Sequence, residues 1–320
     1  MDSTDLIYIE NLKKAFPSKD VRGNKTLVRA VDDVTLSIKR GECLGLVGES
    51  GSGKTTLGRT ILRLVEPDSG KIYFDGTDIT GINMKPYRSK MQIIFQNPSG
   101  SLDPRMRVFN IISEGIKATR RGMTKSEMSA AVFKLLDAVG LNSTDAYRYP
   151  HEFSGGQQQR IGIARALAVN PEFIVCDEPV SALDVSYQSQ IINLLEDLQE
   201  QLGFTYLFIS HDLSVVMHIS DRIGVMYLGK IVELGSCEDI FLRPAHPYTK
   251  ALLSAIPVPD PKISRQREHK VTSFDDTPAG IKNGGCSYCA LCSYATAECA
   301  KAAPENREIA TGHFCACHLA

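Results

Sequence analysis

The sequence predicts an α/β fold in which a parallel sheet is joined by antiparallel strands near its beginning. Buried-type strands at 173–177 and 206–209 flank a helical pattern at 188–202, and strands that alternate with helices are typical of a parallel sheet. Earlier, residues 31–38 alternate apolar and polar side chains, and an Asp-Gly pair at 75–76 follows a short strand-like run. The 320-residue chain is long enough for one large domain or two modest ones.

A glycine-rich loop lies between a predicted strand at 42–47 and a predicted helix at 56–65. The loop fits the pattern G-x-x-x-x-G-K-S/T without a gap, and its backbone N–H groups are expected to face the phosphates of a nucleoside triphosphate. Lys54 is expected to reach the β- and γ-phosphates, and the Thr55 hydroxyl is expected to bind Mg²⁺. The residues predicted to contact the nucleotide are Gly48, Glu49, Ser50, Gly51, Ser52, Gly53, Lys54, Thr55 and Thr56.

Two adjacent carboxylates end the apolar run at 173–177. A carboxylate at the tip of a parallel strand is expected beside the phosphate loop, where Asp177 would hold Mg²⁺ through water. The next residue, Glu178, is placed to polarise an attacking water. The alternative is an acidic pair at a strand end that faces solvent.

A Ser-Gly-Gly-Gln turn precedes a further helical run at 158–168. Such a turn presents backbone N–H groups and a hydroxyl to an anion, so it is a second candidate phosphate site. An ordinary helix N-cap would also explain it. The residues of this turn are Ser154, Gly155, Gly156 and Gln157.

Over about residues 6–236, these motifs resemble those of ATP-binding cassette (ABC) ATPases. The Phe-Ser-Gly-Gly-Gln stretch at 153–157 is similar to the family's signature motif, and the loop at 181–184 is similar to the one that links two ATPase subunits. Gln96 matches a glutamine that contacts Mg²⁺ and the attacking water. His211 matches the switch histidine that contacts the γ-phosphate.

The resemblance also assigns Phe16, which lies where an aromatic residue stacks on adenine. Taken singly, these residues have simpler interpretations. Gln96 would be a loop amide, His211 a helix cap after a strand, and Phe16 an apolar core residue. Six motifs in the order and spacing of the family favour the ATPase interpretation.

The resemblance implies a P-loop ATPase cassette at 1–236 with a helical subdomain at about 97–155 that contacts a membrane protein. Two cassettes would pack head to tail, so that each ATP lies between one subunit's phosphate loop and the other's signature turn. Glu178 would be the general base, while Lys54, His211 and Mg²⁺ would stabilise charge on the γ-phosphoryl group. One chain would supply half of each composite site.

The segment after the cassette, at 243–253, resembles that of oligopeptide and dipeptide importer ATPases. Residues 30–34 and 91–105 are similar to the second of the two ATPases in those importers. The resemblance implies a heterodimer with a different cassette ATPase, two permease subunits and an extracytoplasmic solute-binding protein. The chain would be peripheral at the cytoplasmic face of the inner membrane. The solute is left open among peptides, nickel complexes, haem and other small solutes.

Six of the nine cysteines lie in the last 35 residues, within a predicted C-terminal extension at 237–320. The three cysteines spaced two apart at 286–292 are compatible with zinc or an iron–sulfur cluster. Importer ATPases of this family carry a 4Fe–4S cluster on four C-terminal cysteines, which implies a cluster site within 286–318. Cys289 and Cys315 are additional cysteines, and reduced thiols without metal are a further alternative. The cysteines that match the family pattern are Cys286, Cys292, Cys299 and Cys317.

Composition and charge argue against a nucleic-acid-binding, a membrane-spanning or a secreted protein. The formal net charge of −1 gives no basic footprint for nucleic acid, and no apolar run approaches the roughly 18 residues of a membrane span. The acidic, polar residues at 1–5 do not fit a secretory signal, and the Pro-, Gly- and charge-rich stretch at 257–285 predicts a linker or a small coreless domain. The rival functions are a soluble cassette ATPase that acts on nucleic acid or ribosomes, and an ATPase gated by a redox-sensing metal site.

Overall fold

Two β-sheets form the frame of the molecule. The computed structural model describes residues 4–19, 23–255 and 284–320. The strands form a four-stranded antiparallel sheet and an eight-stranded mixed sheet. In chain order they are β1 (Asp5–Lys19), β2 (Lys25–Lys39), β3 (Cys43–Val47), β4 (Ser69–Phe74), β5 (Thr77–Asp78), β6 (Met91–Ile94), β7 (Phe173–Asp177), β8 (Thr205–Ile209), β9 (Arg222–Tyr227), β10 (Lys230–Ser236), β11 (Arg307–Ala310) and β12 (His313–Cys315).

The order of strands in the smaller sheet is β2-β1-β4-β5, and in the larger sheet it is β11-β12-β10-β9-β3-β8-β7-β6. The strands from β6 to β9 in the larger sheet pair in parallel, because helices provide the long crossovers that parallel pairing needs. β10, β12 and β11 then extend the sheet with antiparallel pairs. The prediction of a parallel α/β sheet with antiparallel strands near the start is confirmed.

Helices cover the parallel strands and fill the region predicted to be helical between β6 and β7. Across the ranges that the structure describes, no helix is long and apolar enough to cross a membrane. The helices are α1 (Lys54–Ile61), α2 (Pro98–Ser101), α3 (Val108–Thr119), α4 (Lys125–Ala138), α5 (Gly155–Leu167), α6 (Val185–Leu202), α7 (Leu213–Ile219), α8 (Cys237–Leu242), α9 (Pro247–Ser254) and α10 (Ala297–Lys301).

Two predicted boundaries differ from the structure. α1 begins at Lys54 and ends at Ile61, whereas the pattern predicted 56–65, because Arg63 has a left-handed φ of 50° that interrupts the helix. β2 begins at Lys25, six residues before the predicted alternation at 31–38. Leu27 and Val28 are exposed there, so this part of the strand has no alternation of buried and exposed side chains. Residues 257–283 of the predicted linker lie outside the described residues.

β3 separates two hydrophobic cores, because successive side chains of a strand point to opposite faces. Leu44 and Leu46 pack with the four-stranded sheet and α1. Cys43 and Val47 belong to the other core, which contains the helices on the far side. Every residue of β3 is buried, so the strand that leads into the phosphate loop is fixed on both faces. Cys43 on β3 and Cys176 on β7 are both 0% exposed, so these thiols pack as small apolar side chains.

A buried carboxylate attaches the C-terminal region to the main sheet. Glu233 on β10 is 0% exposed, and its oxygens accept the backbone N–H groups of Ala245 (2.7 Å) and His246 (3.0 Å). The same carboxylate lies 2.8 Å from Nε2 of His313 on β12. It therefore joins β10, the segment before α9 and the C-terminal hairpin.

Replacing Glu233 with Ala is expected to leave these donors buried without an acceptor and to destabilise the C-terminal region by about 3 kcal/mol. Faster hydrogen exchange in β11 and β12, with little change in the parallel strands, is the expected measurement. Glu238→Ala, which removes an exposed carboxylate from α8, is the control. Unchanged exchange in the hairpin of Glu233→Ala would contradict this role.

Candidate functional site

The phosphate loop is pressed against backbone from two other strands. Gly48 has φ 152° and Gly53 has φ 107°, which are conformations that glycine adopts most readily. A Cβ atom on Gly48 would lie 2.1 Å from the carbonyl oxygen of Met226, and one on Gly53 would lie 1.9 Å from that of Ala30. Both positions therefore require glycine for close approach as well as for backbone conformation.

Lys54 is the first residue of α1 and is only 4% exposed. Its Nζ donates to the carbonyl oxygens of Gly48 (2.7 Å) and Glu49 (2.8 Å) and to Oγ of Ser52 (3.4 Å). Burial lowers the pKa of Lys54, while nearby Glu178, Asp177 and Glu49 act in the opposite direction. The acidic neighbours therefore favour the charged form of this buried amine, and the charged form is the one that binds a phosphate.

The hydroxyl next to this lysine meets the acidic end of β7. Oγ1 of Thr55 donates to Oδ1 of Asp177 at 2.6 Å, and Asp177 is 2% exposed. Nη2 of Arg59, one turn further along α1, lies 3.4 Å from Oδ2 of the same carboxylate. A hydroxyl and a carboxylate that converge beside a phosphate loop provide the hard oxygen ligands that Mg²⁺ prefers.

Glu178 points to a different set of partners from its neighbour Asp177. Its Oε2 accepts Nε2 of Gln96 at 2.8 Å and lies 3.4 Å from Nδ1 of His211. The backbone at Glu178 has φ 48°, a left-handed conformation that is uncommon for a non-glycine residue, and its N–H donates to the carbonyl of Ile209 at 3.0 Å. The structure thus brings together Gln96, Glu178 and His211, which the sequence places far apart.

The signature turn is a helix N-cap within this chain. Oγ of Ser154 accepts the N–H of Gln157 at 3.4 Å, and Oε1 of Gln157 accepts the N–H of Ser154 at 3.1 Å, so the two form a capping box at the start of α5. A Cβ on Gly155 would lie 3.6 Å from Leu183, and one on Gly156 would lie 2.7 Å from Tyr187. The turn therefore packs against the loop at 181–184 and the first turn of α6.

Phe16 lies on β1 and is 38% exposed, with Nζ of Lys14 at 5.5 Å from the ring centroid. The exposed ring shows that Phe16 is not a core residue. Its role against adenine stays a prediction. Thr56 lies on α1 and is partly buried, as expected of a residue behind the loop.

Five C-terminal thiols line one small cavity of about 10 Å³. Among the residues that the structure describes, no three His, Cys, Asp or Glu side chains are close enough to hold a metal ion as they stand. Burial raises the pKa of the Cys286 and Cys292 thiols. Cys315 is fully buried on β12 and does not line the cavity. The cysteines around the cavity are Cys286, Cys289, Cys292, Cys299 and Cys317.

Two residues near the phosphate loop were not predicted from the sequence. Arg59 lies four positions after Thr55, so helical spacing placed it on the same face of α1. Tyr248 is a long way from the loop in the sequence, yet its hydroxyl accepts the N–H of Glu49 at 3.0 Å. No local pattern indicates that contact.

Two family models match the chain. The one described as "ABC transporter" matches residues 31–181, and the one described as "Oligopeptide/dipeptide transporter, C-terminal region" matches residues 232–299. The chain is also similar to proteins named oligopeptide transport ATP-binding protein OppF. The Bacillus subtilis protein is 49% identical over 316 residues, covering 98% of this chain and 96% of the relative. The Streptococcus mutans protein is 54% identical over 313 residues, covering 95% of each.

Solved structures of ATP-binding cassettes share the fold. A dimeric post-hydrolysis structure of the cassette MJ0796 bound to ADP and Pi aligns with a TM-score of 0.65 and 30% identity, covering 72% of this chain and 98% of that one. CbiO1 from Clostridium perfringens, described as part of the ABC transporter complex cbiONQ, aligns with a TM-score of 0.64 and 28% identity over 75% of this chain and 92% of that one.

Proposed function

This chain belongs to the ABC transporter ATPase family and carries the C-terminal region of the oligopeptide/dipeptide transporters, and from that premise we propose that it powers the import of oligopeptides or related small solutes by hydrolysing ATP. The observation that carries the proposal is the meeting of Gln96 and His211 at the Glu178 carboxylate, beside the phosphate loop. That arrangement provides a base, and two groups that orient it, next to the loop that would hold the phosphates.

The proposed chemistry divides between the two carboxylates. ATP would be held by the loop N–H groups and Lys54, with Phe16 against the adenine. Thr55, Gln96 and, through water, Asp177 would hold Mg²⁺, which neutralises charge on the phosphate oxygens when bound. Glu178 would accept a proton from the attacking water.

The other side of the γ-phosphate would be covered by a second subunit. Ser154 and Gln157 hydrogen-bond to each other in this chain, and their turn packs on α6 instead of on the chain's own phosphate loop. We therefore place the signature turn, from Ser154 through Gly155 and Gly156 to Gln157, against the ATP of a different cassette ATPase. The dimer would drive two permease subunits at the cytoplasmic face of the membrane, with a solute-binding protein outside.

The cysteine cavity is the proposed site of a 4Fe–4S cluster, with zinc as the alternative. Thiolates suit both groups, and Cys286, Cys292, Cys299 and Cys317 would be the ligands. A cavity of about 10 Å³ has room for at most one water, so the thiols would have to move apart around a cluster. Cys289 lines the same cavity and is a fifth candidate ligand, whereas Cys315 is not.

Changing Glu178 to Gln is expected to leave ATP binding intact and to lower turnover by about 10²- to 10⁴-fold, because a neutral amide cannot accept the proton. The variant should also trap an ATP-bound dimer with the partner ATPase. Phosphate release and size-exclusion chromatography with ATP are the measurements, and Glu200→Gln on the exposed side of α6 is the control. Persistent turnover would show that Glu178 is not the base.

Chain purified without oxygen is expected to be brown, with broad absorbance near ~400 nm and matching iron and sulfide contents. The double variant Cys292→Ser with Cys317→Ser should lose the absorbance. Cys237→Ser should keep it, because Cys237 lies on α8 outside the cavity. A colourless protein that contains zinc would contradict the cluster.

Affinity purification from native membranes in mild detergent tests the transport role. Two permease subunits and a second cassette ATPase are expected to accompany the chain, and the associated binding protein can then be screened with di- and oligopeptides. Recovery with ribosomes or nucleic acid would contradict the importer while leaving the ATPase assignment in place.

A further inference from the structure

A tyrosine from the segment after the cassette is bonded directly to the phosphate loop. Tyr248 lies on α9, is 0% exposed, and accepts the backbone N–H of Glu49 at 3.0 Å. Glu49 is the second residue of the loop, between Gly48 and Ser50. The loop is therefore bonded to an element that follows the whole cassette in the sequence.

The two sides of the Glu49 residue have different partners. Its N–H is directed to Tyr248, while its carbonyl oxygen accepts Nζ of Lys54 at 2.8 Å. These two bonds fix the orientation of the backbone around Glu49, and that orientation decides which loop N–H groups face a phosphate. Without the Tyr248 hydroxyl, the Glu49 N–H would lose its acceptor, and the loop would gain conformational freedom.

Tyr248 is held in turn by two other rings. We call Tyr227, Tyr248 and Tyr288 the tyrosine cluster. The Tyr248 centroid lies 4.5 Å from that of Tyr227 and 5.4 Å from that of Tyr288, and Tyr227 meets Tyr288 nearly edge-on at 5.3 Å. Tyr227 ends β9, whereas Tyr288, 4% exposed, lies between Cys286 and Cys289. The cluster therefore spans the distance between the main sheet and the cysteine cavity.

Hydrogen bonds hold the residue that precedes α9, the helix that carries Tyr248. Nδ1 of His246 accepts the N–H of Tyr248 at 3.0 Å, and His246 is itself 2% exposed. The N–H of His246 is bonded to Glu233, which also contacts His313 of the C-terminal hairpin. Displacing the C-terminal region would thus disturb Tyr248 from two directions, through Tyr288 and through Glu233.

We propose that Tyr248 is a positioning residue of the phosphate loop. A displacement of the cysteine-rich region would act through Tyr288 on Tyr248 and so change the affinity of the loop for ATP. The proposal rests on the proposed function only in requiring that the loop at Gly48–Thr55 binds ATP. It assigns to the C-terminal region a part in nucleotide binding, separate from any contact with the permease.

The first test is Tyr248→Phe in the full chain, because this change removes only the hydroxyl. The dissociation constant for a fluorescent ATP analogue and the KM for ATP are expected to rise about fivefold, with kcat at saturating ATP nearly unchanged. Hydrogen exchange at the Glu49 amide should quicken. Tyr206→Phe is the matched control, since Tyr206 is also 0% exposed and donates its hydroxyl to the Leu195 carbonyl, away from the loop.

The outcomes separate the two proposals. If the unaltered chain does not bind ATP, the proposed function fails. If it binds ATP while Tyr248→Phe binds equally well with an unchanged Glu49 amide, the positioning role is overturned. An equal loss of affinity in Tyr206→Phe would also overturn it, because the effect would then follow from general destabilisation.

A second pair of variants tests the route from the cysteine-rich region, and both members of this pair leave Tyr248 unaltered. Tyr288→Ala, which removes the ring but no cysteine, should weaken ATP binding by a similar factor, whereas Tyr288→Phe should behave as the unaltered chain. Combining Tyr288→Ala with Tyr248→Phe should weaken binding no further than the larger single effect, because both act on one hydrogen bond. Unaltered affinity in Tyr288→Ala, or additive losses in the double variant, would overturn the coupling.

Discussion

The constraint on which the site depends is the close approach of three backbone segments at the phosphate loop. Gly48 closely approaches the carbonyl of Met226 near the end of β9 in the larger sheet, and Gly53 closely approaches the carbonyl of Ala30 on β2 of the smaller sheet. No side chain fits at either contact. The loop therefore takes its shape from both sheets at once, and α1 starts where that shape leaves Lys54 and Thr55 beside the end of β7.

A second constraint gives two adjacent carboxylates different partners. Asp177 is the last residue of β7 and bonds to Thr55, whereas Glu178 adopts a left-handed backbone conformation and turns toward Gln96 and His211. Left-handed backbone at a non-glycine residue costs about 1 kcal/mol or more, and it persists where the surrounding structure holds the residue in place. At Glu178 this conformation accompanies a change of partners, because Asp177 bonds to Thr55 while Glu178 faces Gln96 and His211.

Much of this site was predictable because its parts are local. The strand, loop and helix around Lys54 follow one another in the sequence, and the carboxylates mark the end of a fully apolar strand. The predicted ends of α1 and β2 were wrong, because neither end is set by the spacing of apolar residues. A left-handed Arg63 ends the helix, and β2 continues where Leu27 and Val28 are exposed. The contact from Tyr248 to Glu49 joins residues whose proximity only the assembled sheet creates.

The C-terminal region is attached to the rest of the protein by more than its cysteines. Its clustered cysteines predict a metal or cluster site, but the described part of this region is also held by ordinary packing. Its hairpin extends the main sheet through pairs between β10 and β12, and Tyr288 is buried within the larger core. Glu233 adds a buried polar anchor. The cassette itself therefore supplies the docking surface, so a cluster bound by the cysteines would mainly order the loop at 286–299, the part that carries Tyr288 to the tyrosine cluster.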